Sequence, residues 1–356
     1  MKQELYIQLF SILSLVASEK DYLENLTSHA DAIHWHLSKI DILDFENMLK
    51  DYFEGVIKHL RKRTSWDRIT LAFDETYVPF YGKAHDNWVV GYTNKVKGAV
   101  GSFKFMVCSI IIHKKRFVLG ALPMHTYANT EKIVDEILSL VKKKFHIETV
   151  LLDRGFCNKK LCRNLENQNL KYLILSPKFK NIQRYMKEKQ SEVVEVTTIS
   201  EHKTKVPFEW RFVFVYDCFK YDWVFATNLQ MTGENLVKLY KCRWGIETNF
   251  RVMDLADIKS KSKNIVTRCF FFLISIVLFN SWLELDKKMT FETYLDALAL
   301  TSQTLEEIAS KRLEAKRLLK MEIIEADFLE KSFFPGYFRI PDQKWNFFEN
   351  NAVGIT

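Results

Sequence analysis

Thr149-Val-Leu-Leu-Asp153-Arg-Gly155-Phe156 is a short apolar run that ends in an acid at a glycine-containing turn, and it reads as a buried strand. Before it, an amphipathic helix runs from a cap at Thr130 to about Phe145, with Ile133, Ile137, Leu140 and Val141 on its apolar stripe. After it come a helix over Asn158–Gln168 and a second buried strand over Leu170–Ser176. Further upstream, strand patterns span Ala99–His113 and Arg116–Pro123, with Lys114 and Lys115 marking a hairpin. Earlier still, Arg68-Ile-Thr-Leu-Ala-Phe-Asp74 is another apolar strand that ends in an acid, and Pro79 and Gly82 place a turn or loop after it. Hairpin, helix, strand, helix and strand in this order describe an α/β core.

Outward from that core the pattern changes. Residues 178–228 alternate polar and apolar positions in three runs, Val193–Thr198, Phe208–Tyr216 and Tyr221–Thr227, and read as an antiparallel β insertion. The stretch Tyr240-Lys-Cys-Arg243-Trp-Gly-Ile-Glu247-Thr-Asn-Phe-Arg251 follows. As a helix it sets Tyr240, Arg243, Glu247 and Arg251 on one stripe, which suits either a charged surface helix or a site. Residues 1 to about 66 carry helical periodicity and end in Lys58-His-Leu-Arg-Lys-Arg63, a composition suited to sitting on DNA.

At 356 residues and 47% apolar content, the chain is long enough for a packed core and excludes a disordered tail. The net charge of +8 is modest, but Lys and Arg cluster at 58–63, 114–116, 142–144 and 178–189, as basic faces opposing a polyanion would. The six cysteines form no Cys-x-x-Cys pair, and Cys157 with Cys162 is a poor zinc spacing, so they read as reduced thiols of a cytoplasmic protein. Leu5–Ala17 keeps helical spacing interrupted by Gln8, unlike a secretory signal. Cys269–Leu283 stops short of the roughly 18 residues of a spanning helix and reads as a buried core helix, so no membrane segment is expected.

Asp74 and Asp153 each end a buried strand, where an acid is costly unless it is paired or bound to a metal. Each alone also suits a turn or a helix cap. With Glu247 they offer three carboxylates from three elements, which suits a pair of magnesium ions activating a hydroxyl for phosphodiester cleavage.

Three motifs in order then resemble the DDE transposases of bacterial and archaeal insertion sequences of the insertion sequence four type. They are the strand reaching Asp74 with Tyr77 and Tyr81-Gly82 after it, Leu151-Leu-Asp153-Arg-Gly-Phe156, and Tyr240-x-x-Arg243-x-x-x-Glu247. The resemblance covers about Arg68 to Trp282. It implies a ribonuclease H-like catalytic core interrupted by a β insertion, and a magnesium-dependent enzyme, with manganese as the alternative ion, that cleaves and rejoins DNA at the ends of an insertion sequence. Asp74, Asp153 and Glu247 are then the catalytic acids and ligands of two metal ions. Tyr240 and Arg243, with Arg154 beside the second acid, contact phosphate. Many relatives carry a Lys or Arg seven positions after the glutamate; here that residue is Asp254, and Arg251 or Lys259 takes the phosphate contact. Trp210 and Trp223 are candidates for stacking on a flipped base, against the plainer reading that they fill the insertion's own core.

The implied partners are terminal inverted repeats and target DNA, held by a homodimer in a synaptic complex at the nucleoid. Alternatives with the same acids are a magnesium nuclease that cuts without joining, and a non-catalytic DNA-binding descendant. The expected domains are a helical one over 1–66, catalytic core over 67–177 and 229–290, the insertion over 178–228 and a helical C-terminal region over 291–356.

Overall fold

The structure is a computed structural model and describes residues 12–63, 68–83, 87–91, 97–112, 115–187, 193–200, 208–285 and 289–301. Within these, residues 63, 181, 187, 193–200, 208, 246 and 247 are described by backbone alone. The chain divides into two compact units, one of residues 66–252 and one of residues 1–65 together with 253–356. Residues 253–285, grouped with the catalytic core on sequence grounds, therefore fold with the N-terminal helices.

The first unit is built on a mixed sheet. Strands β1 (Arg68–Phe80), β2 (Val89–Val90), β3 (Gly101–Ile112) and β4 (Lys115–Met124) come first, and α5 (Thr130–Lys142) leads into β5 (His146–Leu152). Helix α6 (Lys159–Asn167) joins β5 to β6 (Lys171–Leu175), and α7 (Lys180–Lys187) precedes β7 (Val193–Ser200), β8 (Phe208–Cys218) and β9 (Tyr221–Thr227). The order across the sheet is β2-β3-β1-β5-β6-β9-β8-β7, with β4 also paired to β3. β1, β5 and β6 are mutually parallel, and β3, β4 and β9 run antiparallel to their neighbours. The three strands read as an insertion thus continue the same sheet through the β6–β9 pairing.

β1 runs six residues past Asp74, where a turn was expected. β3 pairs with it from Thr70 to Phe80, whereas β5 pairs with it no further than Phe73. Beyond Asp74 one edge of β1 therefore lacks the β5 ladder, and Pro79, which has no N–H to give, is tolerated there. The cap of α5 is Asn129, whose side chain accepts from the Lys132 N–H, rather than Thr130. Its buried face is Val134, Ile137, Leu138 and Val141, a stripe shifted from the expected one. Asn158 caps α6 in the same way. Helix α8 (Gly233–Met253) begins after Thr232, whose hydroxyl accepts from the Asn235 N–H. Leu236, Val237 and Tyr240 of α8 pack on a buried cluster of Ala72, Leu151, Leu173, Val213, Val215, Trp223 and Phe225, which fixes the helix against one sheet face.

The second unit is helical: α1 (residues 12–19), α2 (Leu23–Leu26), α3 (Ala30–Ser38), α4 (Ile42–Arg63), α9 (Ile265–Glu284) and α10 (residues 291–301). α9 is 20 residues long, longer than its apolar run suggested, and long and apolar enough to cross a bilayer, but most of its apolar stretch is buried inside the protein. The Glu24 carboxylate accepts from His34, Ser260 and the Lys261 N–H, and Leu23 N–H donates to the Lys259 carbonyl. These bonds fasten the N-terminal helices to the segment before α9.

Candidate active site

The β1–β5 register determines the site. Phe73 pairs with Leu152 in the last step of a parallel ladder, so the next residue of each strand, Asp74 and Asp153, stands beside the other at the strands' C-terminal ends. Neighbouring strands lie about 4.8 Å apart, which brings the two carboxylates within reach of one cation. That cation is Arg243 of α8, with the side chain 2% exposed. Its Nη1 donates to Asp74 Oδ2 at 2.9 Å, and its Nη2 stands 3.5 Å from Asp153 Oδ1. Arg243 Nε donates to the Tyr240 hydroxyl at 3.1 Å, and that hydroxyl donates to Asp153 Oδ1 at 3.2 Å. The second oxygen of Asp74 accepts from the Glu75 N–H at 2.9 Å.

The i, i+3 spacing read from the sequence closes this network, because it puts Tyr240 and Arg243 on the α8 face that covers the two strand ends. Arg243 was expected at a phosphate; here its guanidinium lies on the two carboxylates instead. Burial works to discharge it, but Tyr240, Asp74 and Asp153 outweigh that effect and hold its pKa above the ordinary arginine value. Burial chiefly, with Asp153 adding and Arg243 opposing, pushes the Tyr240 phenol above its usual range. Tyr172, in the same unit, is raised mainly by burial as well.

Unfolded phenols ionise near pH ~10, so these two groups contribute stability that is present below that pH and lost as pH rises through their higher folded values. The expected result of an alkaline titration is a group of tyrosines whose phenolate absorbance develops together with loss of the circular-dichroism signal. Smooth ionisation of every tyrosine near pH ~10 with the fold intact would contradict it.

The remaining sequence candidates separate clearly. Arg154 opens the 3-10 turn after Asp153 and is exposed, and Arg251 is exposed in the last turn of α8. Lys259 is spent elsewhere: its ammonium donates to the Lys20 carbonyl at 2.7 Å within the helical unit. Trp210 and Trp223 are 6% and 4% exposed, so their rings fill the core and offer no face to a base. The Trp223 indole donates to the Cys218 carbonyl, and its ring packs on Phe225, Tyr240 and Trp244. Glu247 lies one helical turn beyond Arg243 on the α8 backbone, and its side chain is outside the described atoms. Among the described residues no group of three or more His, Cys, Asp or Glu forms a metal cage.

The roles of Trp244, Arg116 and Gly245 at this helix went unread in the sequence. Trp244, next to Arg243, is 37% exposed with its ring 5.2 Å from that of Trp223. Arg116 reaches from β4 to donate to the Cys242 carbonyl of α8, across Gly245. A glycine inside a helical pattern was the available signal for that contact.

The two carboxylates and one guanidinium leave an excess of negative charge, and their donors are hard oxygens, a set that fits magnesium or manganese. A search of the curated proteins by sequence finds no match. Among solved structures the chain is similar to the piggyBac transposase in its synaptic complex with hairpin DNA, with a TM-score of 0.56, 14% identity, and coverage of 96% of this chain and 77% of that one. The Drosophila P element transposase strand transfer complex also matches, with a TM-score of 0.25, 13% identity, and coverage of 85% and 80%. The first of these is a likeness of fold, and the mixed sheet fits a ribonuclease H-like core. The family model described as transposase DDE domain matches residues 65–279, more than half of the chain. The chain belongs to the transposase DDE domain family.

Proposed function

We propose that Asp74, Asp153 and Glu247 hold two divalent metal ions and carry the cleavage and strand-transfer steps of an insertion-sequence transposase of the Tyr-x-x-Arg-x-x-x-Glu group. The chain is an enzyme of DNA transposition that cuts and joins DNA. The observation that supports this assignment of residues is the β1–β5 register, which sets Asp74 beside Asp153 under Arg243. When bound, the metal ions would activate the attacking water or 3′-hydroxyl and stabilise the leaving oxygen.

The protein's own groups supply positioning and charge. Asp74 is oriented by the Glu75 N–H, Asp153 by the Tyr240 hydroxyl, and Arg243 keeps the pair together at short range. Arg154, in the turn after Asp153, and Arg251, on the helix that carries Glu247, are both exposed and would contact DNA phosphates. The N-terminal helices would read the terminal repeats, with Lys58 and Lys62 exposed on the last turns of α4. A homodimer would hold two ends in one synaptic complex, in the cytoplasm at the nucleoid.

Given magnesium, a duplex carrying the ends of the encoding element and a target duplex, the full chain is expected to liberate 3′-hydroxyl ends and join them to the target. Chelation should stop both steps. Cleavage without joining would make it a nuclease, and end cleavage that persists under chelation would overturn the metal assignment.

A further inference from the structure

Arg116 makes an unusual contact. It is the second residue of β4, and its Nε donates to the Cys242 carbonyl in the body of α8 at 2.7 Å. In the opposite sense, the Asn249 side-chain amide donates to the Arg116 carbonyl at 3.0 Å. The two bonds grip α8 at residues 242 and 249 and so bracket Gly245 and Glu247. A Cβ built at Gly245 would overlap Cζ, Nε and Nη1 of Arg116.

A glycine inside a helix is unfavourable relative to alanine. A carbonyl already used by its helix has a second lone pair for a guanidinium, and a charge-assisted bond of this kind is stronger than one between neutral groups. The bond offsets the glycine and holds the helix against β4.

We propose that Arg116 is a positioning residue for the α8 turn that carries Glu247, and that position 245 is glycine so that Arg116 can lie across the helix. The proposal rests on the reading of Glu247 as a metal-binding acid. Arg116 acts through the backbone of α8 and is not itself a catalytic residue. The basic run 114–116, read as a face for DNA, thus has at least one member turned inward to the protein.

The test uses the full chain and four variants: Arg116→Met, Arg116→Lys, Gly245→Ala and the double Arg116→Met/Gly245→Ala. Each of Arg116→Met and Gly245→Ala is expected to lower the single-turnover cleavage rate by about 10- to 100-fold, the scale of a misplaced catalytic group. Both should also reduce the rise in Tm that magnesium produces, with the affinity for end DNA in calcium unchanged. The double variant should be no worse than Arg116→Met, because the alanine only displaces what the methionine has already removed. Arg116→Lys should recover part of the rate.

Additive losses, or weaker DNA binding with an unchanged response to magnesium, would overturn the proposal and make Arg116 a phosphate contact. If Arg116→Met does not fold, Gly245→Ala and Arg116→Lys carry the same comparison. No response of the wild-type Tm to magnesium would instead count against the metal site itself.

Discussion

Asp74→Asn, Asp153→Asn and Glu247→Gln are each expected to reduce magnesium-dependent end cleavage by about 10³-fold or more, with binding of end DNA retained. Each exchange keeps the shape of the side chain and removes one negative charge and one oxygen of the proposed metal-ligand set. The stability effects should separate the two aspartates. Asp74 is 12% exposed and accepts from a guanidinium that is 2% exposed, so Asp74→Asn takes from a buried cation a counter-charge that stands 2.9 Å away. A charge-assisted bond of this kind contributes about 1.5 to 3 kcal/mol. Asp153 is 34% exposed, where water screens the loss, so Asp153→Asn should melt nearer to the wild type. Single-turnover cleavage and thermal melts read both effects. Cleavage that survives in all three variants would remove these acids from the mechanism.

Arg243→Met should be the most destabilising single exchange in the site. It leaves Asp74 and Asp153 facing each other with the shared cation gone, and the loss of one partner from a buried pair costs about 3 to 5 kcal/mol. The partial exposure of Asp153 argues for the lower end, about 3 kcal/mol. For a unit the size of residues 66–252 that is a fall in Tm of about 6 to 12 °C. At the proposed metal site magnesium would supply positive charge to the same two acids, so it should raise the Tm of this variant by more than it raises the wild type. Arg243→Lys keeps the charge but loses the fork that reaches Asp74, Asp153 and Tyr240 at once, and should fall between the two. A melt for Arg243→Met within a degree or two of the wild type would show that the pair stabilises nothing.

Much of the sheet unit was legible because its strands are short apolar runs with turn residues around them. The β3–β4 hairpin, β5, α6 and β6 fall where the pattern puts them. Asp74 was legible as an acid at the end of something, but the end belongs to the β5 ladder rather than to β1. Pro79 and Gly82 signal a turn to any local reading, and β3, 21 or more residues further on, is what keeps the strand extended. Trp210 and Trp223 show the opposite limit. Alternating aromatics carry the same pattern whether they face a ligand or a core, and burial alone decides between them. The α5 stripe slipped because Ile133 and Leu140 are as apolar as Val134 and Leu138, so composition could not choose the face. Arg243 was legible as a site residue, but its partner was not. A guanidinium suits phosphate and carboxylate equally, and the register that brings two carboxylates to it is a tertiary fact.

The helical unit draws on both ends of the chain, with Leu23 bonded to Lys259 and Glu24 to Ser260 and Lys261. Synthesis from the N-terminus therefore makes the first helices more than 200 residues before their partners exist. At about 5 to 20 residues per second they wait tens of seconds on the ribosome, while the sheet unit between them can close around Asp74, Asp153 and Arg243. A chain interrupted before residue 259 would hold the three groups of the acid–guanidinium network but not the clasp on its first helices. The order of manufacture thus separates the acid–guanidinium network from the clasp that completes the helical unit.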